Sequence, residues 1–264
     1  MNVYLFELKS HFKYPVIWAI VLLLAVTGFL GMYPTFSGDI EAAKAVLEKL
    51  PIAVRQALNL NIDLFFSFIG FYSYIFNFIL LAGSIMSLNL GLKIFSEENT
   101  IRTAEFLNTK PISRTKVFAA KTTSSISLLI IFNILYSFGS LIIANIIDTA
   151  ALNTAAMLLI NGSLFIVQFI FLMLGMAIGC LKQKIKSPIS LAMPIVLVFF
   201  IVAALDSAIK NIQLANFTPF KFFDRQYIIT NSAYQNKYLF ISTIVLLSLF
   251  FIALAAYKNK DIKN

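Results

Sequence analysis

The sequence predicts an all-α, polytopic membrane protein with six transmembrane helices, because it is unusually apolar and its apolar residues fall in long runs. Hydrophobic residues make up 59% of the 264 residues and charged residues only 12%, about half the charged share of a soluble domain. A helix of about 20 apolar residues crosses a bilayer, and these runs reach that length. We expect a single transmembrane domain over residues 1–264. Its predicted spans lie at about 15–33, 64–91, 121–147, 153–181, 188–205 and 238–257.

The distribution of charge predicts the orientation of the chain. The net charge of +9 could indicate nucleic-acid binding, but the basic residues lie between the spans. The excess of Lys and Arg on the cytoplasmic side of membrane proteins accounts for them. If both termini are cytoplasmic, twice as many Lys and Arg residues fall inside as outside. We therefore expect cytoplasmic termini and no nucleic-acid partner.

The longest polar segment, residues 95–121, joins predicted spans two and three. Its excess of Lys and Arg over acidic residues places it on the cytoplasmic side. Within it, residues 96–108 are predicted to form an amphipathic cytoplasmic helix. Pro111 is expected to end this helix, because the residue before a proline disfavours helical geometry. Ser113 is a suitable N-cap for the next helix, which leads into span three.

The first residues, 2–13, are predicted to form a short amphipathic elbow helix along the inner membrane surface. Leu5, Leu8 and Phe12 recur at helical spacing, and charged residues occupy the other faces. A disordered segment that leads into the first span is the alternative.

Two segments on the outer side are predicted to form short helices. In residues 34–63 an apolar stripe accompanies charged residues, and Pro51 interrupts the pattern. We expect helices that rest on the outer leaflet there, with a substrate gate as the alternative. Residues 207–236 are rich in aromatic residues but too interrupted to cross the membrane, so we expect short helices that dip into the outer interface.

Small residues mark the end of the fourth span. Gly175, Ala177 and Gly179 lie within two turns of one another. Because small residues let helix backbones approach closely in a membrane, we expect another helix to pack against this face.

The residue types needed for most catalytic sites are missing. The chain has one histidine, His11, and one cysteine, Cys180, which excludes two-histidine metal sites and thiolate clusters. It has no phosphate-binding glycine loop, so we expect no ATP hydrolysis by this chain alone. The spacing of Glu97, Glu98 and Arg102 resembles the first motif of CAAX-type intramembrane proteases. Those enzymes also need histidines on further helices, and a water nucleophile needs a base or a metal.

Four amide side chains are predicted to lie inside the spans. They are Asn77, Asn89, Asn133 and Gln168. Each needs a hydrogen-bond partner in the bilayer. They could line a substrate pathway, or they could link helices, at about 1 kcal/mol each. No acidic or basic residue is predicted in the middle of a span, which argues against a carrier driven by protons or sodium ions.

The polar segment of residues 95–121 is called the hairpin here. It resembles the corresponding segment of the type-2 permease family, whose members are membrane subunits of ATP-binding-cassette exporters. The family pattern is an acidic pair, then Thr-x-Glu-x-Leu, then Pro-x-Ser-Arg, and then a Lys before the third span. The matching residues are Glu97, Glu98, Thr103, Glu105, Leu107, Pro111, Ile112, Ser113, Arg114 and Lys121. The family usually has Gly before this Thr, whereas Arg102 stands here. The resemblance extends to the six-span layout.

The resemblance implies that the hairpin contains a coupling helix that docks on a separate ATPase subunit. The residues expected to contact the ATPase are Glu97, Glu98, Thr100, Arg102, Thr103, Glu105, Phe106, Pro111, Ser113 and Arg114. It also implies two ATPase copies that bind ATP and Mg, a second permease chain that is identical or related, and no cofactor on this chain. The expected function is export of a hydrophobic or amphiphilic substrate, such as a peptide, drug or lipid-like molecule, across the plasma membrane. An ATP-independent carrier or channel is the alternative, and the membrane protease is a more distant one.

Overall fold

The computed structural model describes residues 3–38, 40–57, 62–100, 113–147, 153–182, 184–208 and 215–259. These residues form helices and connecting turns, with no strand among them. Six of the helical segments are long and apolar enough to cross a membrane. The predicted all-α fold with six membrane spans is therefore confirmed.

The described parts of the chain contain both short and long helices. The α-helices are α1 Val3–His11, α2 Lys13–Leu30, α3 Tyr33–Gly38, α4 Ile40–Glu48, α5 Ile52–Ala57, α6 Ile62–Phe65, α7 Phe68–Thr100, α8 Arg114–Ile147, α9 Thr154–Leu181, α10 Pro188–Ala208, α11 Arg225–Asn231 and α12 Asn236–Lys258. Two 3-10 helices, Ala215–Phe217 and Pro219–Lys221, lie between α10 and α11. The six long helices α2, α7, α8, α9, α10 and α12 form the candidate spans, and the first of these spans also includes α1.

Two of the long helices, α7 and α9, form the centre of the bundle. They are the most buried of the candidate spans, and the contact between them is the most extensive in the described structure. A Cβ added to Gly175 of α9 would overlap the carbonyl oxygen of Leu88, and one added to Gly91 of α7 would overlap the carbonyl oxygen of Leu172. The two backbones therefore touch, as the small residues of the fourth span predict.

The other long helices surround this central pair. α8 packs against α2 and α9, α10 packs against α7, and α12 packs against α9. Large apolar side chains such as Leu24, Val198 and Phe251 face outward from the bundle. An apolar outer surface of this kind suits a hydrocarbon environment, where no polar groups need to be covered.

The long helices run in alternate directions, so the bundle has two ends. The end at which α7 stops and α8 starts is called the hairpin end here, and α1 and the last residues of α12 also lie there. The other end, called the opposite end, carries α3 to α6, the 3-10 helices and α11.

The helix that contains the second span, α7, begins and ends later than the predicted span at 64–91. α7 has 33 residues and is therefore about 50 Å long, compared with about 30 Å for the hydrocarbon core of a bilayer. It continues without interruption through Ser96 to Thr100, so a separate helix does not begin at Ser96 as predicted. The rest of that predicted helix, and residues 101–112 in general, lie outside the described residues.

The aromatic segment between α10 and α12 folds against the bundle, and its predicted position at the outer interface stays a prediction. Phe220 contacts the rings of Phe171 and Phe200 at centroid distances of 5.4 and 5.5 Å. Phe222 stacks on Tyr238 at 5.6 Å. Because aromatic rings prefer a covered, apolar environment, this segment closes the space between α7, α9 and α10 at the opposite end.

Candidate functional site

The hairpin base is the place where four helices meet beneath the hairpin. It is defined by Glu7 and His11 of α1, Ile94 and Phe95 of α7, Phe118 and Lys121 of α8, and Tyr257 of α12. Its polar contacts lie within α1 and between α8 and each of α1 and α7, and its aromatic contacts add α12. The geometry of this cluster determines how a displacement of the hairpin would reach the spans.

Lys121 is the central residue of the hairpin base. Its side chain is buried, with only 1% of the residue exposed. The ammonium Nζ donates a hydrogen bond to the carbonyl oxygen of Ile94 at 2.7 Å and lies 3.2 Å from Oε1 of Glu7. It also lies 5.9 Å from the ring centre of Phe95, within the range of a cation–π interaction. A buried ammonium of this kind needs such partners, because burying an uncompensated charge is strongly unfavourable.

Glu7 joins α1 to this cluster through both of its carboxylate oxygens. Oε1 pairs with Lys121, and Oε2 lies 3.4 Å from Nε2 of His11, one helical turn further along α1. Glu7 and His11 are buried, whereas Leu5 and Phe12 are exposed. The polar face of α1 therefore lies against α8, and its apolar face points outward.

A single residue lies between α1 and α2. Phe12, which separates the two helices, has helical backbone angles of φ −57° and ψ −39°. α1 therefore leads almost directly into α2. Its position along the membrane surface stays a prediction.

Aromatic side chains connect the hairpin base to the last span. The ring of Phe118 lies 5.6 Å from that of Phe95 and 5.5 Å from that of Tyr257. Nη1 of Arg114 donates a hydrogen bond to the carbonyl oxygen of Lys258 at 3.1 Å. The first turn of α8 is thereby attached to the final turn of α12.

The structure describes part of the predicted ATPase-contact segment. The backbones of Glu97, Glu98 and Thr100 form the last turns of α7. Arg114 is the first residue of α8, and Ser113 precedes it with its hydroxyl 3.2 Å from that of Thr115. The remaining predicted contact residues lie outside the described residues: Arg102, Thr103, Glu105, Phe106 and Pro111. Contact of these residues with an ATPase stays a prediction.

Two of the predicted amides bond to each other between α8 and α9. Nδ2 of Asn133 donates to Oε1 of Gln168 at 2.7 Å and to the carbonyl oxygen of Leu129 at 2.9 Å. The amide nitrogen of Gln168 is packed against Gly83 of α7, where an added Cβ would come within 2.5 Å of it. This pair therefore lies where all three helices meet.

The other two predicted amides bond to tyrosine and arginine on other helices. Nδ2 of Asn89 donates to the hydroxyl of Tyr14 in α2 at 2.6 Å. Oδ1 of Asn77 accepts a hydrogen bond from Nη2 of Arg225 in α11 at 2.5 Å. All four amides thus make contacts between helices, and a role in a substrate pathway stays a prediction.

A second polar network in the bundle was not predicted from the sequence. The hydroxyl of Tyr72 donates to Oδ1 of Asn161 at 2.6 Å and lies 3.1 Å from the hydroxyl of Tyr136. Nδ2 of Asn161 donates to the hydroxyl of Ser140 at 3.0 Å. Asn161 could have been found by the rule that identified the other amides, since it lies within the predicted fourth span. Nothing in the sequence indicates that two tyrosines meet it.

These features define a polytopic, helical membrane protein with polar links between its spans and the hairpin base at one end. The model of the ABC-2 family transporter proteins matches the chain over residues 1–262. The chain therefore belongs to the ABC-2 transporter family, and the resemblance seen in its sequence is confirmed. It is the multi-pass membrane component of an ABC transporter, a kind of chain that associates with an ABC ATPase subunit. No curated protein matches it.

Proposed function

We propose that the chain is the transmembrane subunit of an ATP-driven exporter that moves a hydrophobic or amphiphilic substrate across the plasma membrane. The observation that carries this proposal is the hairpin base, in which Lys121 joins α8 to both α7 and α1. The hairpin end faces the cytoplasm, so both termini are cytoplasmic. The excess of Lys and Arg on that side supports this orientation.

The contacts of the hairpin base support a mechanical role, in which force on the hairpin is transmitted to the spans. A force applied to the hairpin acts on the last turns of α7 and the first turns of α8, which are continuous with the spans. Buried ion pairs and close-packed rings resist small continuous deformations. The contacts of Lys121 and Phe118 therefore move α1, α7, α8 and α12 together.

The energy for this movement comes from a partner. In our proposal two ATPase subunits bind ATP and Mg, and each engages the hairpin of one permease chain. The second permease chain is identical or related, and this chain contributes no catalytic residue, metal or cofactor. The proposed ATPase contacts are the residues of the hairpin named in the sequence analysis.

The kinds of polar residue inside the spans support the proposal that the energy for transport comes from another chain. Those described by the structure are mainly uncharged amides and hydroxyls, and the ionised side chains lie near the helix ends. Transporters driven by protons or sodium ions usually bind the coupling ion at buried carboxylates within the spans. An apolar bundle of this kind suits an apolar or amphiphilic substrate.

The test is reversal of charge in the hairpin, with Glu98→Lys and Arg102→Glu. Loss of a charge pair at an interface is expected to weaken binding of the ATPase subunit at least about tenfold. The measurements are the affinity of the complex in proteoliposomes and the ATP hydrolysis that depends on the membrane chain. Lys184→Glu, at an exposed position after α9, is the matched control and should leave both unchanged. Normal binding and normal stimulation in both hairpin variants would show that the docking assignment is wrong.

A further inference from the structure

A cavity with apolar and charged lining residues lies at the opposite end, between α7, α10 and the segment that leads into α11. Its volume is about 110 Å³. Asn77 and Phe78 of α7, Phe200 of α10, and Lys221, Asp224 and Arg225 of the following segment line it. Two basic side chains therefore face a small space that is far from the hairpin base.

Arg225 is the most unusual of these residues. It is only 5% exposed, and its guanidinium bonds to the uncharged amide of Asn77. Among the described residues, its Nε has no hydrogen-bond partner, and no carboxylate forms an ion pair with it. Burial lowers the pKa of Arg225 to about 10, although the carboxylate of Asp224 opposes this shift. The guanidinium is therefore still protonated at neutral pH.

The charged neighbours of Arg225 are already engaged. Oδ1 of Asp224 accepts hydrogen bonds from the backbone N–H groups of Gln226 and Tyr227, so it caps α11. Nζ of Lys221 donates to the hydroxyl of Ser207 at 2.7 Å and lies 3.6 Å from Oδ2 of Asp206. Within the part of the chain that the structure describes, the buried guanidinium of Arg225 forms no ion pair, and the carboxylate of Asp224 compensates its charge only from a distance. Such an arrangement favours binding of an anion.

The size and the walls of the cavity indicate what kind of anion fits. The cavity volume of about 110 Å³ exceeds the roughly 30 Å³ that one water molecule takes in the liquid, so a small oxyanion fits in it. Phe78 lines the cavity and is 44% exposed. An acyl chain attached to the oxyanion could therefore leave the cavity along this exposed apolar ring.

We propose that this cavity binds the oxyanion headgroup, phosphate or carboxylate, of an amphiphile, with Arg225 as its main ligand. Arginine suits this role because its planar N–H groups match the geometry of an oxyanion. Binding here needs no ATP hydrolysis and no ATPase contact. Its test is therefore independent of the test of the exporter proposal.

The experiment measures equilibrium binding of three probes to the purified full-length chain in neutral detergent. Dioctanoylphosphatidylglycerol carries headgroup and tails, inorganic phosphate carries only the oxyanion, and dioctanoylglycerol carries only the tails. The key variant is Asn77→Asp, which places a carboxylate beside Nη2 of Arg225 with almost no change of shape. This internal anion is expected to raise the thermal stability and to weaken binding of the phospholipid at least about tenfold. Arg225→Gln should also weaken binding, and Lys237→Gln, at an exposed position of the same end, should not.

Each outcome decides the proposal. Tight binding of the phospholipid alone, lost in Asn77→Asp, supports an amphiphile headgroup. If inorganic phosphate binds as tightly as the phospholipid and Asn77→Asp weakens its binding, the cavity is an oxyanion site whose ligand is a free anion. Equal binding of dioctanoylglycerol, absence of phospholipid binding, or binding that Asn77→Asp leaves unchanged overturns the proposal.

Discussion

At the scale of the residue, Lys121 makes contacts that join several parts of the hairpin base. Its ammonium neutralises Glu7, donates to the end of α7 and lies over the ring of Phe95. Buried ion pairs add little stability compared with apolar side chains of the same shape, but removing one partner is strongly destabilising. This asymmetry suits a contact whose function is to keep particular helices attached to one another.

We predict that Lys121→Met lowers the free energy of unfolding by about 3 kcal/mol, because it leaves the Glu7 carboxylate buried without its ammonium partner. Adding Glu7→Gln to this variant should restore part of the loss, since no carboxylate is then buried there. The measurement is unfolding in mixed micelles of rising SDS content. Lys116→Met, at an exposed position of the same helix, should change stability by no more than about 0.5 kcal/mol. Strictly additive effects of the two substitutions would contradict the proposed pairing.

The sequence predicts single polar residues better than it predicts their partners. The requirement for hydrogen bonds in a bilayer was sufficient to select Asn77, Asn89, Asn133 and Gln168. The pairing of Glu7 with Lys121 could not be predicted in the same way, because it depends on how α1 packs against α8. Arg225 belongs to the predicted outer segment, residues 207–236, and its burial follows only from the folding of that segment onto α7.

At the scale of the element, the contact between α7 and α9 depends on residues without side chains. Gly175 lies so close to the backbone of Leu88 that even one methyl group has no room. Gly28 of α2 has nothing within 4 Å of an added Cβ. The two glycines therefore provide a matched comparison on two different helices of the bundle.

We predict that Gly175→Ala destabilises the bundle by about 1–3 kcal/mol, because the added methyl group pushes α7 and α9 apart. Gly28→Ala should be neutral, or stabilising by up to about 1 kcal/mol, since Ala is the better helix former. Thermal unfolding of both purified variants in the same detergent measures the difference. Equal stability of the two variants would mean that α7 and α9 are not closely packed at Gly175.

The length of α7 shows why the predicted helix boundaries were less accurate than the helices themselves. The sequence becomes polar after Phe95, which suggested that a new helix starts at Ser96. Residues 96–100 contain no Gly or Pro, and glutamate is a good helix former. Nothing therefore stops α7 when it leaves the apolar region, and it continues to Thr100.

At the scale of the whole molecule, one helix connects the two ends of the bundle. α7 carries Ile94 in the hairpin base, Tyr72 in the buried tyrosine network and Asn77 at the cavity of the opposite end. A movement imposed at the hairpin would therefore reach the proposed headgroup site along a single rigid element. The six-span layout was predictable from hydropathy alone, whereas this connection depends on tertiary contacts.

The measurement that tests the central claim most directly is cross-linking of the assembled complex from two defined positions. Cys180, which is buried, is first replaced by Ala, and a single thiol is introduced as Glu98→Cys at the hairpin end or Lys237→Cys at the opposite end. A short thiol-to-amine cross-linker should join the ATPase subunit to the chain from position 98 and not from position 237. Cross-linking from position 237, or from neither position while the ATPase subunit still co-purifies, would contradict the account of a hairpin that receives force from its ATPase.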